Sequence, residues 1–136
     1  MRDNAKMLYF FRFFLCDIIK EKKGENMLID SVTRGTVQYY VPDNKELASL
    51  TRVFDALSDP TRVKMLSALS ITDMCVGDIS EILSINQTTV SHQLKFLKDV
   101  GLVKSNRIGK VVVYSIGSKY LHDLMLAGVR QVGMVK

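Results

Sequence analysis

The chain has 136 residues, of which 47% are hydrophobic, and this length and composition suit a single domain with its own core. Its 19 lysines and arginines against 14 aspartates and glutamates give a formal net charge of +5, which favours an anionic partner such as nucleic acid. Two cysteines, Cys16 and Cys75, are too few for a disulfide framework, which excludes a disulfide-stapled secreted domain and predicts a cytoplasmic protein.

An apolar run at residues 7–19 holds four of the six phenylalanines and dominates the N-terminal extension, which we assign to residues 1–41. The run resembles a signal peptide. However, Arg12 and Asp17 interrupt it, no small-residue cleavage site follows, and it is too short to span a bilayer. We therefore expect no membrane partner. Two interpretations stay open: an amphipathic helix that packs on the body or on a second subunit, and a segment that is not native.

The second interpretation rests on residues 22–26, which can be encoded by a purine-rich stretch resembling a bacterial ribosome-binding site. Under this hypothesis translation starts at Met27, and residues 1–26 are not part of the native protein. Beyond this point, Tyr39 and Tyr40, with the valines beside them in residues 37–41, are expected to form an extended arm.

Two helices are predicted at the start of the body, which we assign to residues 42–136. Asp43 is a good N-cap for the first helix, and Glu46 three residues later completes a capping box. Asp59 caps the second helix, with Pro60 in its first turn, where no amide partner is required. The inward positions are predicted to be Leu47, Leu50, Phe54 and Leu57 in the first helix and Val63, Leu66 and Leu69 in the second.

A helix-turn-helix is predicted after a loop at residues 71–75. Its first helix covers residues 76–84, with apolar positions at Ile79, Ile82 and Leu83. Asn86 caps its second helix, which runs from Gln87 to about Val100, and Gly101 ends that helix in a left-handed conformation. Two short helices joined by so brief a turn are typical of this motif.

The hydrophobic period then changes from helical to extended. Residues 102–106 and 111–116 are predicted strands, joined by a hairpin tip at residues 107–110 that carries two positive charges. A last helix is expected from Gly117 and Ser118, with an apolar stripe at Leu121, Leu124, Met125, Gly128, Val129 and Val132. The predicted fold is mostly α-helical with a small β-hairpin, in the element order of a winged helix-turn-helix.

The second helix of the motif has the pattern of a DNA-reading helix. Val90, Leu94 and Leu97 form its inward stripe, whereas hydroxyl, amide, imidazole and ammonium groups cover the opposite face. Such groups can hydrogen-bond base edges or neutralise phosphates, and acidic residues are absent from the helix through Lys98. The candidate DNA contacts are Gln87, Thr88, Thr89, Ser91, His92, Gln93 and Lys95 on the helix and Arg107 and Lys110 on the hairpin. The alternative is an ordinary solvated helix face.

Four stretches together resemble the ArsR/SmtB family of winged-helix repressors, and the resemblance runs from about Leu47 to Leu126. The similar stretches are Ala56–Arg62, Met74–Ile79, the recognition helix and strand entry at Thr89–Leu97 and Val100–Val103, and the hairpin around Gly109, Lys110, Val113 and Tyr114. The resemblance implies a homodimer built on the first and last helices, with an inverted-repeat operator. It also implies that a metal, metalloid or other small signal relieves repression.

The metal sites that the resemblance implies are incomplete in this chain. The thiolate site of the family uses two cysteines. In this chain Cys75 occupies the first position, but Gly77 occupies the second. A single thiolate cannot supply three or four soft ligands. Cys16 could complete the site only if the N-terminal segment folds over it. The second site of the family uses an Asp-x-His pair on the last helix. Ser118 and Tyr120 occupy those positions, and His122 and Asp123 are out of register.

No metal ligands are therefore predicted, and the cofactor stays unknown. For Cys75 two interpretations stay open: a small buried side chain, or a sensor thiol at a helix N-terminus that is open to oxidation. An enzyme is not expected, because two histidines on a solvated face and a terminal helix form no catalytic constellation with Cys75. The alternatives to a DNA-binding regulator are a protein–protein assembly module and a membrane-surface protein.

Overall fold

A computed structural model describes residues 29–134 of the chain. The predictions on residues 7–19, on Cys16 and on translation from Met27 lie outside these residues. Six helices and three strands are present within 29–134, and the chain divides into two compact units between Ser49 and Leu50. In chain order the elements are α1 (Ser31–Tyr40), α2 (Asn44–Leu57), α3 (Pro60–Leu69), β1 (Met74–Cys75), α4 (Val76–Leu83), α5 (Gln87–Asp99), β2 (Val103–Ile108), β3 (Val111–Ile116) and α6 (Leu121–Gln131).

The extended arm predicted around Tyr39 and Tyr40 is wrong, because these residues end helix α1. The Asp30 carboxylate caps this helix by accepting from both the backbone N–H and the hydroxyl of Thr33, over 2.8 and 2.9 Å. Threonine, valine and tyrosine favour strands on average. Such average preferences take no account of the hydrogen bonds that this cap supplies at the N-terminus of the helix.

The predicted caps of the next helices are confirmed. At α2 the Asp43 carboxylate accepts from the backbone N–H of Glu46 over 2.9 Å, and the Glu46 carboxylate accepts from that of Asp43 over 3.1 Å. At α3 the Asp59 carboxylate accepts from the N–H of Arg62 over 2.9 Å, with Pro60 at the first helical position. Each helix therefore begins where a side chain satisfies amides that have no partner inside the helix.

The core lies within residues 50–134 and draws on every helix of that unit. Phe54, predicted to face inward, is instead 52% exposed, and Ile82, an apolar position of α4, is 61% exposed, whereas Ala56 and Met65 are fully buried. The buried residues are Ala56, Met65, Leu66, Leu69, Met74, Ile79, Val90, Leu94, Leu97, Leu102, Val103 and Leu121.

The predicted hairpin is confirmed and is part of a larger sheet. Residues 74–75, predicted as loop, form β1, which pairs with β3 in antiparallel register, so that the strand order is β1-β3-β2. Strand β2 also continues two residues beyond the prediction, to Ile108, and leaves a tip of only Gly109 and Lys110. Gly109 has φ +61°, a conformation that glycine adopts without steric cost in a two-residue turn.

The last helix begins later than predicted, at Leu121 rather than at Gly117. The N–H of Gly117 donates to the carbonyl of Leu102 over 2.9 Å, and a Cβ at Gly117 would lie 3.0 Å from the backbone of Val103. Gly117 is therefore required where the chain passes β2, and the helix starts only after it has done so. The result is the predicted winged helix-turn-helix, mostly α-helical with a small sheet.

Candidate nucleic-acid interface

Helix α5 is held in the unit by one fully buried stripe. Val90, Leu94 and Leu97 have no exposed surface, which confirms their predicted inward positions. Asn86 caps the helix by accepting from the N–H of Thr88 over 2.8 Å, and Gly101 follows its end with φ +85°. Packing of this stripe therefore fixes the rotation of α5 about its own axis. As a result, the opposite face of the helix points to solvent.

The turn before α5 is held by hydrogen bonds around a left-handed residue. Ser84 has φ +53°, which ends α4 and reverses the chain within a few residues. The hydroxyl of Ser80 donates to the carbonyl of Ile85 over 2.6 Å, and the N–H of Ile85 donates to the carbonyl of Ser80 over 3.0 Å. Ile85 is half-buried against the core. These contacts make the connection between α4 and α5 a fixed one.

Six of the seven helical candidates lie together on the exposed face of α5. Its first turn contains no acidic residue, and the unpaired N–H groups of that turn favour a nearby anion such as phosphate. This surface combines hydrogen-bonding groups with positive potential. The exposed residues are Gln87, Thr88, Thr89, Ser91, His92 and Lys95.

Gln93 differs from the other candidates, because it is half-buried on the flank of α5. Its amide oxygen accepts from the guanidinium of Arg62 over 3.3 Å. Arg62 lies in a stretch that resembles the family, but the sequence alone indicates no role for it. Only the folded structure reveals its contact with Gln93, because 31 residues separate the two partners in the sequence.

The hairpin adds positive charge beside α5. Arg107 and Lys110 are exposed. Arg107 belongs to strand β2, but its Nε donates to the carbonyl of Gly109 over 3.3 Å, so its side chain reaches the tip of the hairpin. Nζ of Lys98, another residue without a predicted role, donates to the hydroxyl of Ser105 over 2.7 Å. This bond ties the last turn of α5 to β2, the first strand of the hairpin.

Cys75 lies directly before α4 and is half-buried, not fully buried as the inert interpretation expected. Its backbone N–H donates to the Asp78 carboxylate over 3.0 Å, and this bond, together with a contact from the Cys75 side chain, lowers the pKa of Asp78 below its ordinary value. A Cβ at Gly77 would lie 3.6 Å from Sγ of Cys75. A side chain at position 77 would thus lie close to the Cys75 thiol. The second thiolate of the family site is missing because residue 77 is glycine.

No group of three or more histidine, cysteine, aspartate or glutamate side chains suited to a metal ion occurs in residues 29–134. His122 is exposed on α6, and Tyr120 and Asp123 beside it are exposed as well. Within the same residues no helix is long and apolar enough to cross a membrane.

The chain is similar to known regulatory proteins. Residues 59–105 match the family model described as bacterial regulatory protein, arsR family, a stretch that runs from the cap of α3 into β2. A transcriptional repressor SmtB homolog from Synechocystis sp. is 34% identical over 65% of this chain and 67% of its own length. The transcriptional repressor SdpR from Bacillus subtilis is 39% identical over 54% of this chain and 82% of its own length.

The fold is also similar to a solved structure from Mycobacterium bovis, the homodimeric winged helix-turn-helix DNA-binding domain of a possible ArsR-family transcriptional regulator. The TM-score is 0.57 at 25% identity, over 67% of this chain and 92% of that one. Both sequence relatives are thus repressors, and the similar structure is a DNA-binding domain.

Proposed function

Because this chain belongs to the ArsR family of bacterial regulatory proteins, we propose that it is a homodimeric repressor whose α5 lies in the major groove of an operator. As a member of that family it is a DNA-binding transcriptional regulator and not an enzyme. We further propose that the repressor acts in the cytoplasm and that residues 42–136 form its DNA-binding and dimerisation domain.

The observation that carries the proposal is the exposed polar face of α5. A helix fits the major groove of B-form DNA, and the residues of its N-terminal half meet the base edges in this motif. Thr88, Ser91 and His92 present hydroxyl and imidazole groups there, all exposed. Lys95, one turn further along, is placed to neutralise a phosphate, which positions the helix without reading sequence.

The hairpin supplies a second contact with the DNA backbone. Arg107 and Lys110 lie at and beside a two-residue tip, and both are exposed. Their charges fit the phosphates that flank the groove or the minor groove next to it. The bond from Lys98 to Ser105 supports this arrangement, because it ties the hairpin to α5.

The homodimer is supported by apolar surface that residues 29–134 leave open. Phe54 on α2 is 52% exposed, and Val132 at the end of α6 is 67% exposed. A two-fold dimer would present its two α5 helices to successive major grooves about 34 Å apart, so we propose an inverted-repeat operator. The similar domain from Mycobacterium bovis is itself homodimeric.

A small signal that releases the operator is also part of the proposal. The described residues do not fit the two-thiolate metal site, because Cys75 is the one cysteine among them and Gly77 stands in the second position. Cys75 is half-buried at the start of α4. We therefore propose it as the residue on which a thiol-reactive signal would act, with other small molecules as the alternative.

The test is fluorescence anisotropy of the full chain on the DNA upstream of its own gene, over a range of salt concentrations. Lys95→Glu, Arg107→Glu and Lys110→Glu should each weaken binding. Each should also lower the slope of log affinity against log salt by about 0.9 for every phosphate that the variant no longer neutralises. Lys64→Glu is the matched control, since Lys64 is an exposed lysine on α3 outside the proposed surface.

Equal salt slopes for all four variants, or no binding of the wild-type chain to any upstream fragment, would contradict the proposal. A protein–protein assembly module predicts this result, although the relatives do not favour that alternative. Titration of the complex with an oxidant, arsenite and zinc then identifies the signal. Cys75→Ser is expected to abolish the response to the oxidant and to leave any response to the other two compounds unchanged.

A further inference from the structure

The guanidinium of Arg62 joins the end of α2 to the side of α5. Its Nε donates to the carbonyl of Ala56 over 2.9 Å, and Nη2 donates to that of Asp55 over 2.5 Å. Nη1 donates to Oε1 of Gln93 over 3.3 Å, and Cζ lies 4.8 Å from the centre of the Phe96 ring. The Arg62 side chain is only 14% exposed. This charged group is therefore held from several directions, in a place where water competes little for its bonds.

The position of Arg62 does not depend on Gln93. Two of its three hydrogen-bonded nitrogens are anchored to backbone carbonyls of α2, which the fold fixes. Charge-assisted bonds to carbonyls are stronger than neutral ones, and the planar guanidinium gives them a set direction. The remaining ion pair with the Asp55 carboxylate is long, at 3.9 Å, and Asp55 is 64% exposed, so it adds little.

A fixed arginine determines which way the Gln93 amide turns. Arginine carries donors and no acceptor, so only the carbonyl oxygen of the amide can face it. The NH2 group of Gln93 then lies on the other branch of the amide, away from Arg62. It makes no hydrogen bond with any residue in 29–134 and is not among buried atoms without a partner, so part of its surface is accessible to solvent.

We infer that Arg62 is a positioning residue of the DNA-reading surface: it holds Gln93 so that only N–H donors face the DNA. A glutamine that turns freely reads adenine through one donor and one acceptor together. Gln93, with its acceptor occupied by Arg62, instead contacts an acceptor of the DNA. That acceptor is guanine O6 or N7, adenine N7, thymine O4, or a phosphate oxygen. The inference rests on the proposed function, in which α5 lies in the major groove.

The first test changes Gln93 and leaves Arg62 in place. In Gln93→Glu a carboxylate oxygen still accepts from Arg62, so the melting temperature should equal or exceed that of the wild type. The outward group, however, becomes an acceptor, and DNA affinity should fall about ten-fold or more. Gln93→Met removes the donors without adding charge and should lower affinity about five-fold or more. The full chain is used throughout, with melting temperature measured beside DNA affinity.

The second test releases the amide. Arg62→Lys keeps the positive charge but lacks the planar fork, so Gln93 is free to turn. Selection of binding sites from randomised DNA should then show an adenine preference at one position that the wild type lacks. The preference should vanish in the double variant Arg62→Lys/Gln93→Met. A role of Arg62 in folding alone would change stability without changing the selected sequence.

The same selection separates the two sources of the acceptor. If Gln93 contacts a base, Gln93→Met relaxes preference at one base pair, whereas a phosphate contact weakens binding to all sequences equally. The inference is overturned if folded Gln93→Met binds the wild-type site with wild-type affinity, or if folded Arg62→Lys selects the wild-type sequence. Should Arg62→Lys not fold, the two Gln93 variants decide. A wild-type chain that selects no site at all would instead contradict the proposed function.

Discussion

Helices α5 and α6 both carry an apolar stripe, but the described part of the chain covers only the first. Val90, Leu94 and Leu97 of α5 are fully buried. In α6 only Leu121 is buried, Leu124 and Val129 are half-buried, and Val132 just beyond the helix is 67% exposed. Helix α5 is thus completed within one chain and offers its polar face to a ligand. Helix α6 leaves apolar surface, which is the property of a protein interface.

The largest expected effect comes from charging the open stripe of α6. Val129→Asp should give a monomer, because a carboxylate would be buried without a partner in the proposed dimer interface. A monomer makes only one of the two operator half-site contacts, so DNA affinity should fall about 100-fold to 10,000-fold. Light scattering on a sizing column measures the mass, and anisotropy measures binding. Ala127→Asp is the matched control, since Ala127 is exposed on the other side of the same helix. A Val129→Asp variant that stays dimeric would show that α6 has another role.

Substitutions in the buried stripe of α5 should lower the stability of the protein without changing its oligomeric state. Leu94 is fully buried, and Leu94→Ala should lower the free energy of unfolding by about 2–5 kcal/mol, through reduced burial and the cavity left behind. Leu124→Ala, the same change at a half-buried position of α6, should cost less when both are made in the monomeric Val129→Asp background. Urea denaturation followed by circular dichroism measures both values. Equal losses would mean that α6 is as well covered within one chain as α5.

The α5 region was predictable because its determinants are local. Asn86 before the helix, the buried stripe within it and Gly101 after it all lie within sixteen residues, and each acts through the backbone near it. The helix-turn-helix and the exposed candidates on α5 follow from this pattern together with the family resemblance. The buried Ala56 and the exposed Phe54 do not, because packing between helices decided which face of α2 turned inward.

The features that sequence reasoning missed depend on distant residues. Strand β1 exists because Met74 pairs with Tyr114, forty positions further along the chain. The late start of α6 depends on Gly117 passing the backbone of Val103, and the orientation of Gln93 depends on Arg62. None of these contacts leaves a periodic or compositional trace in its own segment. The apolar stripe of α6, by contrast, was predicted from its own segment, and the family resemblance implies a second subunit as its partner.

The smallest expected effect uses the two histidines of the chain, one on each helix. His92 on α5 and His122 on α6 are both exposed, so neither substitution by alanine should change the melting temperature noticeably. His92→Ala removes a group that can hydrogen-bond a base edge, and DNA affinity should fall by about 1–3 kcal/mol. His122→Ala should leave affinity unchanged, because α6 is proposed to face the second subunit and not the DNA. Anisotropy on the same operator fragment compares the two variants. Equal losses would mean that α6 also touches the DNA, and the contrast between a ligand-facing α5 and a partner-facing α6 would no longer hold.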